Sequence, residues 1–251
     1  MSILQTIDLK KYYGTKPNIT RALDGVNFSV NDGEFVAVVG TSGSGKSTLL
    51  HMMGGLDTPT SGTVIVRGEE LAKKNDEQLT IFRRRNIGFI FQNYNLVPIL
   101  NVYENIVLPV ELDGDTVDQK FLDEIVHLLG LEDKLKNMPN NLSGGQQQRV
   151  AIARALMQQA KVILADEPIA SLDPESARIV MDTLRDINQN DGITVVVTLH
   201  QVDYALRYCE RIVALRQGHV FYDGCSQQFD NERFDHLYRS INRVEENAKA
   251  A

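Results

Sequence analysis

Long apolar runs and cysteines are scarce in this sequence. No run of about 18 or more apolar residues occurs among its 251 residues, so we expect no transmembrane helix. The segment from Met1 to Lys11 has charged residues and no apolar signal core, so we expect no export. The two cysteines, Cys209 and Cys225, fit neither a metal site nor a disulfide framework, which indicates a reduced, cytosolic setting.

An excess of positive charge is also missing. The formal net charge is −7, which argues against broad nucleic-acid binding through phosphate neutralisation. The basic run Arg83-Arg84-Arg85 is predicted to be a solvated helix end rather than a nucleic-acid site. The hydrophobic content of 43% supports a real core, and the length suits one large domain or two small ones.

The segment from Gly40 to Thr48 contains the pattern G-x-x-x-x-G-K-S, which is typical of a phosphate-binding loop. An apolar strand is predicted before it at residues 35–39, and a helix after it at residues 49–53. Glycines let the backbone N–H groups surround a phosphate, and the helix start adds partial positive charge. Lys46 can reach the β- and γ-phosphates, and the Ser47 hydroxyl can ligate Mg²⁺. A glycine-rich turn that binds nothing is the alternative. The loop residues predicted to bind the nucleotide are Gly40, Ser42, Gly43, Ser44, Gly45, Lys46, Ser47 and Thr48.

Two adjacent carboxylates, Asp166 and Glu167, follow the apolar run Val162–Ala165. The carboxyl end of a strand is where open α/β sheets bind ligands. We expect Asp166 to hold Mg²⁺ and Glu167 to polarise the attacking water. Alone, the pair could equally be two solvated acids that open a turn.

Hydrophobic periodicity and turn residues predict an α/β core that is interrupted by a helical insertion between Gln92 and the strand before Asp166. The predicted strands are residues 3–9, 22–30, 35–39, 63–66, 87–91, 162–165, 194–198, 212–215 and 219–222. The predicted helices are residues 49–53, 69–85, 102–112, 118–129, 144–157, 175–188, 202–208 and 227–244, with a frayed end at residues 245–251.

The segment Leu142-Ser143-Gly144-Gly145-Gln146 precedes a predicted helix, whose start would be an anion site. This string resembles the signature of the ATP-binding-cassette (ABC) family, and the phosphate loop, signature and Asp-Glu pair stand in the family's order. The resemblance implies two subunits packed head to tail. Each signature, here Ser143, Gly144, Gly145 and Gln146, then caps the γ-phosphate of the ATP in the partner's phosphate loop.

Further positions match the family's functional residues. Tyr13 matches the aromatic that stacks on adenine, although Tyr12 competes for that role and a core aromatic is the alternative. Gln92 matches the glutamine that senses Mg²⁺ and the γ-phosphate, and Asp173 lies in the loop that signals between subunits. His200 matches the histidine that contacts the γ-phosphate, although a lone histidine at a strand end is more often structural.

The resemblance implies a single nucleotide-binding domain over residues 1–251, of the α/β class. The expected fold is a P-loop NTPase (RecA-like) core with an N-terminal antiparallel β subdomain and an inserted α-helical signature subdomain. The core would comprise residues 1–92 and 161–225, the helical subdomain residues 93–160, and a C-terminal helical tail residues 226–251.

The implied function is ATP hydrolysis with Mg²⁺ in a dimer that drives a membrane partner. The implied partners are a second copy of the chain and transmembrane permease subunits that dock near Gln92 and the helical subdomain, on the inner face of the cell membrane. No nucleic acid is expected. A regulatory, non-transport ABC ATPase with slow turnover remains an alternative.

Two parts of the chain resemble two different types of ABC protein. Residues 1 to about 155 resemble the lipoprotein-release and macrolide-exporter type, through Gly54–Gly62, Phe91–Pro98 and Glu104–Pro109. Residues from about 156 onward resemble a phosphonate-import ATPase, through Ala165–Ser176 and Thr198–Ala205. This split suggests a recombined or engineered chimera, joined within the signature helix, that lacks a native transporter.

Overall fold

The computed structural model describes residues 2–238, which fall into two compact units. The phosphate-loop unit comprises Ser2–Val30, Phe35–Ala72 and the described residues from Thr198 onward. The signature unit comprises Asn31–Glu34 and Lys73–Val197. Within residues 2–238, every helix is too short or too polar to cross a membrane.

Two sets of strands and three helices build the phosphate-loop unit. Its elements are β1 (Ser2–Tyr13), β2 (Thr20–Asn31), β3 (Phe35–Gly40), α1 (Lys46–Met53), β4 (Ser61–Val66), β5 (Glu69–Glu70), α7 (Val202–Tyr208), β9 (Arg211–Arg216), β10 (His219–Cys225) and α8 (Asn231–Tyr238). One sheet has the order β2-β1-β4-β5. Strand β3 pairs in parallel with β9, which pairs antiparallel with β10. Every residue of β3 is buried, which explains its unbroken apolar sequence.

The signature unit combines parallel strands with five helices. Its elements are α2 (Asp76–Asn86), β6 (Ile87–Ile90), α3 (Val102–Leu112), α4 (Gln119–Leu128), α5 (Gly144–Met157), β7 (Val162–Asp166), α6 (Pro174–Asp191) and the first four residues of β8 (Thr194–Leu199). Strand β7 lies between β6 and β8, and β6 pairs with it in parallel. Helix α5 is mostly buried and packs against α3, α4, α6 and β6. The signature helix is therefore the central helix of this unit.

Side-chain caps determine where several helices begin. Asn75, Asn101 and Ser143 form capping boxes at the starts of α2, α3 and α5, and Asp118 and Asp173 cap α4 and α6. Such a side chain bonds a backbone N–H that has no partner within the helix. Helices α3, α5 and α7 have the bounds predicted from the sequence.

Several predicted bounds were wrong. The helix expected at residues 69–85 begins at Asp76, because Asn75 caps it and Glu69–Glu70 instead pairs with β4. Strand β1 extends past Leu9 to Tyr13, since its pairing with β4 continues beyond a register shift to Lys10 opposite Ser61. Of the helix predicted at residues 227–244, residues 231–238 are helical, and the remainder beyond 238 lies outside the described residues.

The basic run at residues 83–85 closes helix α2. Arg84 and Arg85 both pair with Asp113, which follows helix α3, and Arg84 is the less exposed of the two arginines. The prediction of a solvated helix end therefore describes Arg85 but not Arg84, which is held in an ion pair within the signature unit.

Candidate functional site

The phosphate loop connects β3 to α1 through glycines that adopt conformations open to few other residues. Gly40, Gly43 and Gly45 have φ of +153°, +74° and +106°. A Cβ atom at Gly40 would lie 2.4 Å from the Leu215 carbonyl oxygen, and one at Gly45 would lie 2.4 Å from the Ala22 carbonyl oxygen. The loop therefore requires glycine at Gly40 and Gly45 both for conformation and for space.

Lys46 opens helix α1 and turns back across the loop. Its side chain is buried, and its Nζ donates hydrogen bonds to the carbonyl oxygens of Gly40 at 3.0 Å and Thr41 at 3.2 Å. An anion that binds beside this buried ammonium would be attracted by its positive charge. Ser47 and Thr48 follow in the first turn of the helix, and Ser42 and Gly43 are exposed at the tip of the loop.

The hairpin between β9 and β10 is joined to the phosphate loop by backbone hydrogen bonds. The Gly218 N–H donates to the Ser44 carbonyl oxygen at 3.1 Å, and the Asp24 N–H donates to the Gly218 carbonyl oxygen at 2.9 Å. The Tyr12 hydroxyl in turn donates to the Asp24 carboxylate. Sequence reasoning missed this support, because residues 12, 24, 44 and 218 carry no motif that links them.

Tyr13 and Tyr12 lie in different environments. Tyr13 is 41% exposed, whereas Tyr12 is half-buried with its hydroxyl bound to Asp24. The Tyr13 hydroxyl donates to Asp57 at 3.0 Å, and the Lys11 ammonium lies 4.9 Å from the centre of the Tyr13 ring. Partial burial, together with the bond to Asp57, raises the pKa of Tyr13. The exposed ring is compatible with stacking and excludes the core-aromatic alternative for Tyr13.

Asp57 is a residue that sequence reasoning did not single out. It accepts hydrogen bonds from the Lys11 ammonium at 2.7 Å and from the Thr58 N–H at 2.7 Å, in addition to Tyr13. Burial alone would raise the pKa of Asp57, but these donors outweigh it and hold the pKa below its usual value. The carboxylate thus stays ionised and orients the Tyr13 ring.

In the signature unit, the start of helix α5 is closely packed. Ser143 Oγ accepts the Gln146 N–H at 3.3 Å, and Gln146 Oε1 accepts the Ser143 N–H at 2.9 Å. A Cβ atom at Gly144 would lie 2.7 Å from the Tyr94 hydroxyl, and one at Gly145 would lie 2.6 Å from Ser176 Oγ. A methyl group at Gly144 or Gly145 would therefore require the Tyr94 or Ser176 side chain to move. The N–H groups of the first turn have no partner within the helix.

The Gln92 loop, residues 91–101 between β6 and α3, and the loop before α6 both reach this helix start. Gln92 lies in a turn that follows β6, two residues before Tyr94. Leu172 would come within 3.6 Å of a Cβ atom placed on Gly144, on the same side as the Tyr94 ring. Its neighbour Asp173 is exposed, and its Oδ1 accepts the N–H groups of Glu175 and Ser176 at 3.1 and 3.0 Å. Hydrogen bonds from Ser176 lower the pKa of Asp173.

The two acids at the end of β7 have different environments. Asp166 is the last residue of the strand and is buried, whereas Glu167 is half-buried just beyond it with φ of +48°. A left-handed glutamate is uncommon, and such backbone strain is concentrated at functional sites. His200 is exposed directly after β8, in the phosphate-loop unit.

Comparisons with known proteins point to one family. The model of the family described as ABC transporter matches residues 23–170. The phosphonates import ATP-binding protein PhnC of Escherichia coli (strain UTI89 / UPEC) is 58% identical, and the alignment covers 99% of this chain and 100% of that protein. PhnC of Shigella sonnei (strain Ss046) is 57% identical with the same coverage.

Solved structures agree with this assignment. The dimeric structure of MJ0796, a bacterial ABC transporter cassette, has a TM-score of 0.83 and 40% identity, covering 89% of this chain and 98% of that one. MJ0796 in a post-hydrolysis state with ADP and Pi gives a TM-score of 0.82. CbiO1 of Clostridium perfringens, part of the CbiONQ transporter complex, gives 0.80 at 27% identity and covers 98% of this chain and 99% of that one. These likenesses confirm the predicted fold class.

The hypothesis of a chimera finds no support. A single relative, PhnC of Escherichia coli (strain UTI89 / UPEC), aligns with 99% of the chain at 58% identity, across the junction suggested near residue 155. The hypothesis rested on short strings that resemble exporter-type cassettes, and such local similarity does not determine the relationship of the whole chain.

The family match covers more than half of the chain, and the relatives cover nearly all of it. The phosphate loop, the signature helix and the Asp166–Glu167 pair occupy the loop, helix start and strand end that their chemistry requires. The chain therefore belongs to the ABC transporter family and is an ATP-binding, ATP-hydrolysing subunit that uses Mg²⁺.

Proposed function

We propose that the phosphate loop binds the triphosphate of Mg-ATP and that Glu167 positions the attacking water. The observation that carries this proposal is the phosphate loop, where a buried lysine lies among glycines in positive-φ conformations. Lys46 would stabilise the β- and γ-phosphates, and the hydroxyl of Ser47 would ligate Mg²⁺ together with Asp166. Gln92 and His200 would contact the γ-phosphate region, and the Tyr13 ring would stack on adenine.

We further propose that the chain works as a head-to-tail dimer with two bound ATP molecules. Ser143, Gln146 and the amides of Gly144 and Gly145 would cap the γ-phosphate held by the partner's loop. Asp173 would signal between the subunits from its position at the start of α6. Support comes from the two dimeric structures of MJ0796 and from the helix start of α5, whose first amides have no partner within the helix.

The names of the relatives suggest a cargo and a membrane partner for this chain. PhnC proteins are named for phosphonate import, and the alignment spans the whole of each PhnC chain. We therefore propose that this chain energises phosphonate uptake from the cytoplasmic face of the membrane. Its permease subunits would dock near Gln92 and the helices of the signature unit.

The test replaces Glu167 with glutamine, which keeps its size but removes the negative charge. Steady-state turnover of ATP should fall about 100-fold or more, because general-base assistance is lost. ATP should still bind, and the dimer should persist in size-exclusion chromatography with ATP and Mg²⁺. Lys46→Ala serves as the comparison, since it should weaken ATP binding itself.

Unchanged turnover in Glu167→Gln would remove Glu167 from the proposed role. Turnover that is already very slow in the wild type, with tight ATP binding, would instead favour a regulatory subunit.

A further inference from the structure

Arg154 is a half-buried cation near the end of the signature helix α5. Its guanidinium donates hydrogen bonds to the carbonyl oxygens of Asn95 at 2.7 Å and Tyr94 at 3.1 Å. Among residues 2–238, no carboxylate forms an ion pair with it. Arginine remains protonated even when burial lowers its pKa, so the two loop carbonyls are hydrogen-bond acceptors for a charged group.

The carbonyls that Arg154 binds belong to the Gln92 loop, which has a strained backbone. Tyr94 and Asn95 have φ of +62° and +48°, which is uncommon for residues other than glycine. Such conformations persist only where surrounding contacts enforce them. Arg154 supplies those contacts at the two strained residues.

Asn105 fixes the remainder of the same loop from helix α3. Its side chain is fully buried, accepts the Val97 N–H at 2.7 Å and donates to the Leu100 carbonyl oxygen at 2.9 Å. The segment that follows Gln92 is therefore held from two helices, α3 and α5.

The Gln92 loop also touches the other end of α5. The Tyr94 hydroxyl occupies the space beside Gly144 that a Cβ atom would need, next to the cap residue Ser143. Long helical side chains point toward the helix N-terminus, which lets Arg154 reach back to the same loop. One loop thus contacts the first turn and the last turns of the signature helix.

We propose that Arg154 is a positioning residue that links the Gln92 loop to the signature helix, so that Gln92 and Ser143 move together when ATP binds. A shift of the loop alone would break both hydrogen bonds of a half-buried guanidinium, which costs free energy. A shift of the loop together with α5 keeps both hydrogen bonds. This inference rests on the proposed function, in which Gln92 senses the γ-phosphate and Ser143 caps the partner's ATP.

A double-mutant cycle between Arg154 and Gln92 tests the link. Arg154→Met keeps the aliphatic stem but removes the charge and both hydrogen bonds, and should lower kcat about tenfold. If Arg154 acts only by positioning Gln92, then removing the Gln92 side chain leaves Arg154 with no further effect on kcat. The double variant should then have the kcat of Gln92→Ala alone, with the Kd for ATP unchanged by Arg154→Met. Arg154→Lys keeps the charge but loses the planar fork that reaches two carbonyls, so its kcat should lie between those of the wild type and Arg154→Met.

Arg178→Met is the matched control, since Arg178 is an exposed arginine on α6 that pairs with Asp182 and should leave kcat unchanged. Losses in kcat that multiply in the double variant would show that Arg154 acts independently of Gln92 and would overturn the proposal. So would a wild-type kcat in Arg154→Met. If Arg154→Met does not fold, as judged by thermal unfolding, the same cycle with Arg154→Lys distinguishes the same two outcomes. Absence of ATPase activity in the wild type would contradict the proposed function itself.

Discussion

At the scale of the residue, part of the strained backbone lies in the candidate site, although Asp8, Arg67, Gln159 and Gln217 also have positive φ. Glu167, Tyr94 and Asn95 are non-glycine residues with positive φ, and all three lie in loops that carry predicted site residues. Each such conformation costs free energy, so the surrounding contacts must compensate for it. No sequence motif predicts these conformations, because the same residue types occur elsewhere in the chain with negative φ.

Tyr13 offers a test at this scale. Tyr13→Ala should raise the Kd for ATP about tenfold, because loss of a stacking partner costs about 1–3 kcal/mol per base. Isothermal titration with ATP and Mg²⁺ measures this change.

Tyr13→Phe is the control, since it keeps the ring and removes only the hydroxyl that donates to Asp57. Its Kd for ATP should stay close to that of the wild type. Equal affinities for the alanine variant and the wild type would contradict stacking by Tyr13.

At the scale of the element, the junction of loop and helix is what gives the phosphate loop its shape. Helix α1 begins at Lys46 with Gly45 as its N-cap, and no side chain caps it. A bound anion therefore meets no competition from a capping side chain at this helix start. By contrast, α2, α3 and α5 begin with side-chain capping boxes.

Gly45→Ala tests this junction. The new methyl group would face the Ala22 carbonyl oxygen at 2.4 Å, at a φ that alanine disfavours. We expect the free energy of unfolding to fall by about 2–4 kcal/mol and ATP binding to be lost, as measured by chemical denaturation and titration.

Gly114→Ala provides the comparison, because Gly114 also has a positive φ of +73° but has open space where its Cβ atom would lie, with nothing within 4 Å. This variant should lower the free energy of unfolding by about 1 kcal/mol and leave ATP binding intact. Similar losses of stability for the two variants would mean that crowding at Gly45 is unimportant.

At the scale of the whole molecule, the two cysteines report on the folded state. Cys209 is buried, and burial raises the pKa of its thiol far above the usual value, whereas Cys225 is exposed. Since the thiolate is the reactive form, Cys209 should be inert at pH 8 in the folded protein.

Alkylation with iodoacetamide, read by intact-mass spectrometry, should therefore add one label to the native protein and two after denaturation. Cys225→Ser should abolish the native label. Two rapidly reacting thiols in the native state would contradict the burial of Cys209.

The sequence predicted those features that depend on neighbours in the chain. Helices α3, α5 and α7 were predicted with their observed bounds, because periodic apolar residues and local turn or capping residues define them. Strand β5 and the last residues of β1 were missed, because their strand form depends on pairing with β4. The suggested chimera failed for a related reason, since short shared strings do not determine the relationship of a whole chain.

The sequence by itself therefore determined the family motifs: the phosphate loop at Gly40, the signature at Ser143 and the carboxylates at the end of β7. Their chemistry depends on residue types at fixed spacing along one segment. Only the tertiary structure decided that Tyr13 is the exposed tyrosine, that Asp57 orients it, and that Arg154 holds the loop after Gln92. These facts depend on burial and on hydrogen bonds between residues far apart in the chain, which no local pattern encodes.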